Sequence, residues 1–157
     1  VAPVVREMAR PLPEVLWVVL DIQAGGVQAG EASREKALRF AATLTDYAFA
    51  RGYQVGLALG DVDGPRVLEP AGGRGHRRRV LDALAVCQVQ GGCPLEAVLA
   101  AVPPRQVRNA QVVLVTAARA QAVPVGPAFR AACRHLTVLQ ADGLDRVFAD
   151  APGREEA

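Results

Sequence analysis

The sequence predicts a doubly wound α/β domain: a mostly parallel sheet with one antiparallel edge hairpin and helices on both faces. Three observations carry that expectation. Continuous apolar runs such as Leu16–Leu20 and Val112–Val115 read as strands buried on both faces. Segments of helical periodicity separate them. One pair of strand-like runs is joined by a turn too short for a helical crossover.

Taken in order, residues 1–14 hold Pro3, Pro11 and Pro13 and read as a linker or edge segment. Leu16–Leu20 closes on an acid, Asp21, and a Gly/Ala loop follows. Ser33 is the expected N-cap of a helix whose inner face carries Ala37, Phe40, Ala41, Leu44 and Ala48. Arg51-Gly52 should end it. Val55–Leu59 is the next strand. Asp61-Val62-Asp63-Gly64-Pro65 is turn chemistry, and Arg66–Pro70 returns as a short strand. A helix is expected from about His76 to Cys87, another behind Pro94, then an end at Pro103-Pro104. Gln111–Thr116 is a second buried strand. Pro127 opens a helix, with His135 at its carboxyl end as a favourably placed cation. Leu136–Leu139 is the last strand and Leu144–Asp150 a short final helix. The domain thus spans 15–150, and 151–157 reads as a frayed tail.

Composition narrows the functions. Half the residues (51%) are apolar and 22% are charged, which is globular and not disordered. A formal net charge of +2 does not by itself call for nucleic acid. Cys87, Cys93 and Cys133 are an odd set without paired short spacing, so they read as core or half-buried thiols in a reducing compartment. No apolar run reaches the roughly 18 residues of a membrane span. A cytoplasmic location is expected, or the cytoplasmic face of a membrane. Val1 stands where Met would open a chain, and suggests a piece of something longer.

Several short motifs together resemble one bacterial family. They are Val5-Arg6-Glu7-Met8 ahead of Leu16–Asp21, Glu35–Ala42 with Gln54–Leu57 behind it, Pro70–Gly72 through Gly75-His76, and Val80–Ala85. The family is the domain-of-unknown-function family number fifty-eight, whose members look like von Willebrand factor type A domains. They are often encoded beside MoxR-type AAA+ ATPases. The resemblance runs over about residues 4 to 140. It implies the fold and a class of partner, either such an ATPase or other parts of a longer chain, and no reaction.

The resemblance also implies where a site lies. Von Willebrand factor A domains bind a divalent ion with Asp-x-Ser-x-Ser after the first strand, a Thr from a neighbouring loop and an Asp after a later strand. Here the first motif reads Asp21-Ile22-Gln23-Ala24-Gly25, so Gln23 and Gly25 replace both serines. The later strand ends in Thr116-Ala117-Ala118, without an acid. Mg²⁺ demands near-octahedral oxygen ligation with carboxylates offsetting its charge. Asp21, Gln23, Gly25 and Thr116 therefore read as a degenerate adhesion site, and no cofactor is expected.

A second candidate is Gly73, Arg74, Gly75, His76, Arg77 and Arg78, continued by Arg79. Glycines before a helix let backbone N–H groups converge on an anion, and arginines at a helix start oppose its dipole unless something negative lies near. The spacing is neither a Walker A loop nor a dinucleotide fingerprint. Asp61 and Asp63 lack the further ligands of a calcium loop. Ser33, the only serine, reads as a cap and not a nucleophile. The leading expectation is a non-enzymatic protein-interaction scaffold. Anion or nucleic-acid binding through residues 72–79 is the alternative. An adhesion domain with intact Mg²⁺ binding, and a hydrolase using Asp21 and His76, stand behind both.

Overall fold

The computed structural model describes residues 14–22, 30–87, 93–117 and 125–143. A five-stranded sheet of order β3-β2-β1-β4-β5 forms its centre. The strands are β1 (Val15–Asp21), β2 (Gln54–Asp61), β3 (Gly64–Ala71), β4 (Gln111–Thr116) and β5 (His135–Gln140). All neighbours run parallel except β2 and β3, the antiparallel edge that the short turn requires. The helices are α1 (Glu31–Ala50), α2 (Arg74–Ala85), α3 (Leu95–Ala101), α4 (Pro104–Val107) and α5 (Pro127–Ala132), followed by a 3₁₀ turn at Ala141–Gly143.

Strand alternation separates two cores. Leu16, Val18 and Leu20 of β1 face α1 and α2, where Ala37, Ala41, Val80 and Leu84 cover them. Trp17 and Val19 face the other way, against Val98, Leu99 and Val102 around α3 and half-buried Phe129 of α5. Trp17 is completely buried. Its ring lies flat on β2, where a Cβ on its register partner Gly56 would stand 2.8 Å from Trp17 Cε3. Glycine there is what lets an indole sit on the sheet.

Some boundaries differ from the sequence expectations. Helix α1 opens at Glu31 with Gly30 as its N-cap, because the Gly30 carbonyl accepts from Ser33 and Arg34 N–H groups. Ser33 thus lies inside the first turn. Gly52, at φ +80°, ends the helix as expected. Helix α2 begins at Arg74, earlier than His76, and Cys87 lies beyond its end. Pro104 does not only end a helix; it occupies the first turn of the four-residue α4, where its missing N–H costs nothing. His135 is the first residue of β5, not a helix terminus. Among the described residues no helix is long and apolar enough to cross a membrane. The expected linker before residue 14, the helix at 144–150 and the tail at 151–157 fall outside the described residues.

Candidate functional site

Strand order reverses beside β1. The chain leaves β1 through α1 to β2 on one side, while β4 pairs with β1 on the other. The carboxyl ends of β1 and β4 therefore flank the point of reversal, the usual ligand position in open α/β sheets. Asp21 and Thr116 end those two strands and are direct register partners. Both side chains point to the face shared by Trp17 and Leu114, and both are buried, Asp21 at 7% exposure. The Thr116 hydroxyl donates to Asp21 Oδ2 at 3.0 Å. The Ala117 N–H donates to the Asp21 carbonyl at 2.8 Å and closes the same corner from the backbone. Sequence reading anticipated the first pair but not Ala117, whose contribution is a main-chain donor that no side-chain motif reveals.

The divalent ion implied by the family resemblance would need more oxygen donors than the described residues bring to this corner. Among the described residues, this corner brings together one carboxylate and one hydroxyl, and the hydroxyl bonds the carboxylate. An octahedral dication needs several more oxygens. Gln23 and Gly25 lie outside the described residues. Among the described residues no three His, Cys, Asp or Glu side chains group as metal ligands. Asp61 instead serves its turn, its Oδ1 accepting from the Val62 N–H at 2.8 Å.

The glycine–arginine segment lies at the opposite pole. β3 runs antiparallel, so Ala71 pairs with Val55 at the amino end of the parallel strands. That level lies about 17 Å from Asp21, five residues along the sheet. The two sequence candidates are therefore separate places. Gly73 adopts φ +91° just before α2, while Gly75 and His76 sit inside its first turn. The His76 ring is 2.7 Å from the Val55 carbonyl through Nε2, which makes Nε2–H the donor, and it stands edge-on to Phe49. His76 thus ties α2 to β2. Arg77 bonds Asp46 of α1 through both Nε and Nη2. Arg74, Arg78 and Arg79 are exposed, and Arg78 makes a long contact with Asp82 at 3.9 Å.

The cysteines are free and buried or half-buried, as their isolation in sequence implied. Burial raises the pKa of all three thiols, with the nearby Asp61 carboxylate adding to the effect at Cys87. Raised thiols are poor nucleophiles at neutral pH. No family model matches the chain, and no curated protein matches it.

Proposed function

We propose that this chain is a non-enzymatic interaction domain that docks a protein partner across the rim formed by the carboxyl ends of β1, β2 and β4. The observation that carries this reading is the Asp21–Thr116 pair. It stands where strand order reverses, with the Thr116 hydroxyl bonded to the Asp21 carboxylate. Among the described residues no metal-competent donor set stands there, which favours recognition by shape and surface charge. The resemblance to the bacterial family suggests the partner: a MoxR-type AAA+ ATPase, or further domains of a longer chain. The adhesion fold is kept in this view while its ion dependence is lost.

The experiment is co-purification of the chain with a MoxR-type AAA+ ATPase, with and without EDTA. Capture that survives EDTA and is lost in Asp61→Arg or Asp63→Arg supports the reading. Asp63 is exposed at this end of the sheet, so Asp63→Arg alters the rim alone, while Asp61→Arg also removes the acceptor of the Val62 N–H. Absence of capture with and without nucleotide, or capture that EDTA abolishes, counts against it.

A further inference from the structure

A net charge of +2 conceals how the charges are distributed. Asp21 and Asp61 end β1 and β2, Asp63 turns the hairpin, and Glu31 opens α1, all at the carboxyl pole. At the amino pole each described connection carries an exposed arginine close to the strand it serves. Arg51 precedes β2, Arg108 precedes β4, Arg134 directly precedes β5, and Arg74 follows β3. Glu14, Glu69 and Asp46 are the acids near that end, and Asp46 is taken up by Arg77.

Helix dipoles account for part of this pattern. α1, α4 and α5 point their carboxyl ends at the amino pole, where a cation is favourable, so Arg51, Arg108 and Arg134 complement them. Arg74 has no such reason. It sits at the amino end of α2, which follows an antiparallel strand and so points the other way. Placement matters more than count. Strand ends lie in a row, with neighbours about 4.8 Å apart. In the order β3-β2-β1-β4-β5 the arginines span four such steps, about 19 Å. Beside Arg51 stands Tyr47, exposed at 55%, with the guanidinium carbon 4.4 Å from its ring centroid. Four strand ends that carry cations, with exposed Glu14 alone at the central β1 end and an aromatic–guanidinium stack at one side, match a linear polyanion that carries flat bases. A globular acidic surface does not offer charge and flat rings at such regular spacing along one line.

We propose that the amino pole binds single-stranded nucleic acid, its phosphate backbone laid across Arg74, Arg51, Arg108 and Arg134 and one base stacked at Tyr47. This surface is separate from the rim and independent of the reading given for it. The test is fluorescence anisotropy of the full chain with a labelled twenty-nucleotide oligothymidine, titrated between 25 and 200 mM salt. A contact with three or four phosphates gives a log K against log salt slope of about −2 to −3, since each single-strand phosphate contributes about −0.7. R74A, R108A and R134A should each flatten the slope by about 0.7. Y47A should weaken binding roughly fivefold or more with the slope unchanged. These side chains are exposed, so the variants keep the fold, and circular dichroism checks it. No saturable binding at 25 mM salt overturns the proposal. So does a slope that the arginine variants leave unchanged, or polyglutamate competing as well as the oligonucleotide at equal charge, which would make the surface an acidic-protein site.

Discussion

Gly56 is the residue whose identity the packing constrains most tightly. In Gly56→Ala the new methyl would stand 2.8 and 2.9 Å from Trp17 Cε3 and Cδ2, and 3.0 Å from Pro70 Cγ. Real Cβ contacts do not come so close, so something must move. Trp17 is fully buried and wedged between the sheet and the cluster around α3, so it cannot swing aside freely. Overpacking of this kind costs about 1–3 kcal/mol. For a chain of this size that lowers the melting temperature by roughly 3–9 °C. The assay is urea unfolding followed by Trp17 fluorescence for the parent and far-ultraviolet circular dichroism for every variant. A double-mutant cycle isolates the cause: in a Trp17→Val background the Gly56→Ala step should cost less than about 0.5 kcal/mol, because its methyl fills vacated space. A Gly56→Ala variant as stable as the parent, or a cost unchanged by removing the indole, would refute the contact.

Three further outcomes follow from the same structure. Thr45 is fully buried with no hydrogen-bond partner for its hydroxyl, so Thr45→Val should raise unfolding free energy by about 1 kcal/mol in the same urea assay. Thr116→Val removes the donor to buried Asp21 and should cost about 1–3 kcal/mol, with Thr116→Ser restoring most of it. The three thiols are raised in the fold, so unfolded thiols ionise first as pH climbs and the unfolded state releases more protons. Their stabilising contribution is complete below the ordinary thiol pKa of about 8.5 and is lost as pH rises through the raised folded values. Unfolding midpoints at pH 7 and pH 10 should therefore converge when all three cysteines are replaced by alanine.

What the sequence made legible follows from the range of each interaction. β1 and β4 were visible because a strand buried on both faces must be apolar without interruption. The hairpin was visible because Asp61–Pro65 leaves no room for a crossover. Ser33 misled because a serine before an apolar periodicity usually caps, yet here the backbone of Gly30 closes the first turn. His135 was displaced for a related reason: α5 ends at Ala132, and periodicity over so short a helix does not fix its last residue.

The site was legible only in halves. Asp21 and Thr116 stand 95 residues apart, and spacing alone does not establish that β4 lies beside β1. The strand order does, and that is a tertiary property. The arginines divide in the same way. Arg77-Arg78-Arg79 caught the eye as a run, but the helix disperses it, sending Arg77 to Asp46 on another element. Arg51 reads only as a helix end, and Arg108 and Arg134 stand alone in their own connections. Only the alignment of strand ends gathers them into a row.

The central claim is that the corner at the carboxyl ends of β1 and β4 recognises its partner without a divalent ion. Calorimetric titration with Mn²⁺, the more tightly held substitute for Mg²⁺, tests it most directly. The account predicts no saturable heat below millimolar Mn²⁺, and the same flat trace for Asp21→Ala. Saturable micromolar binding that disappears in Asp21→Ala would contradict it.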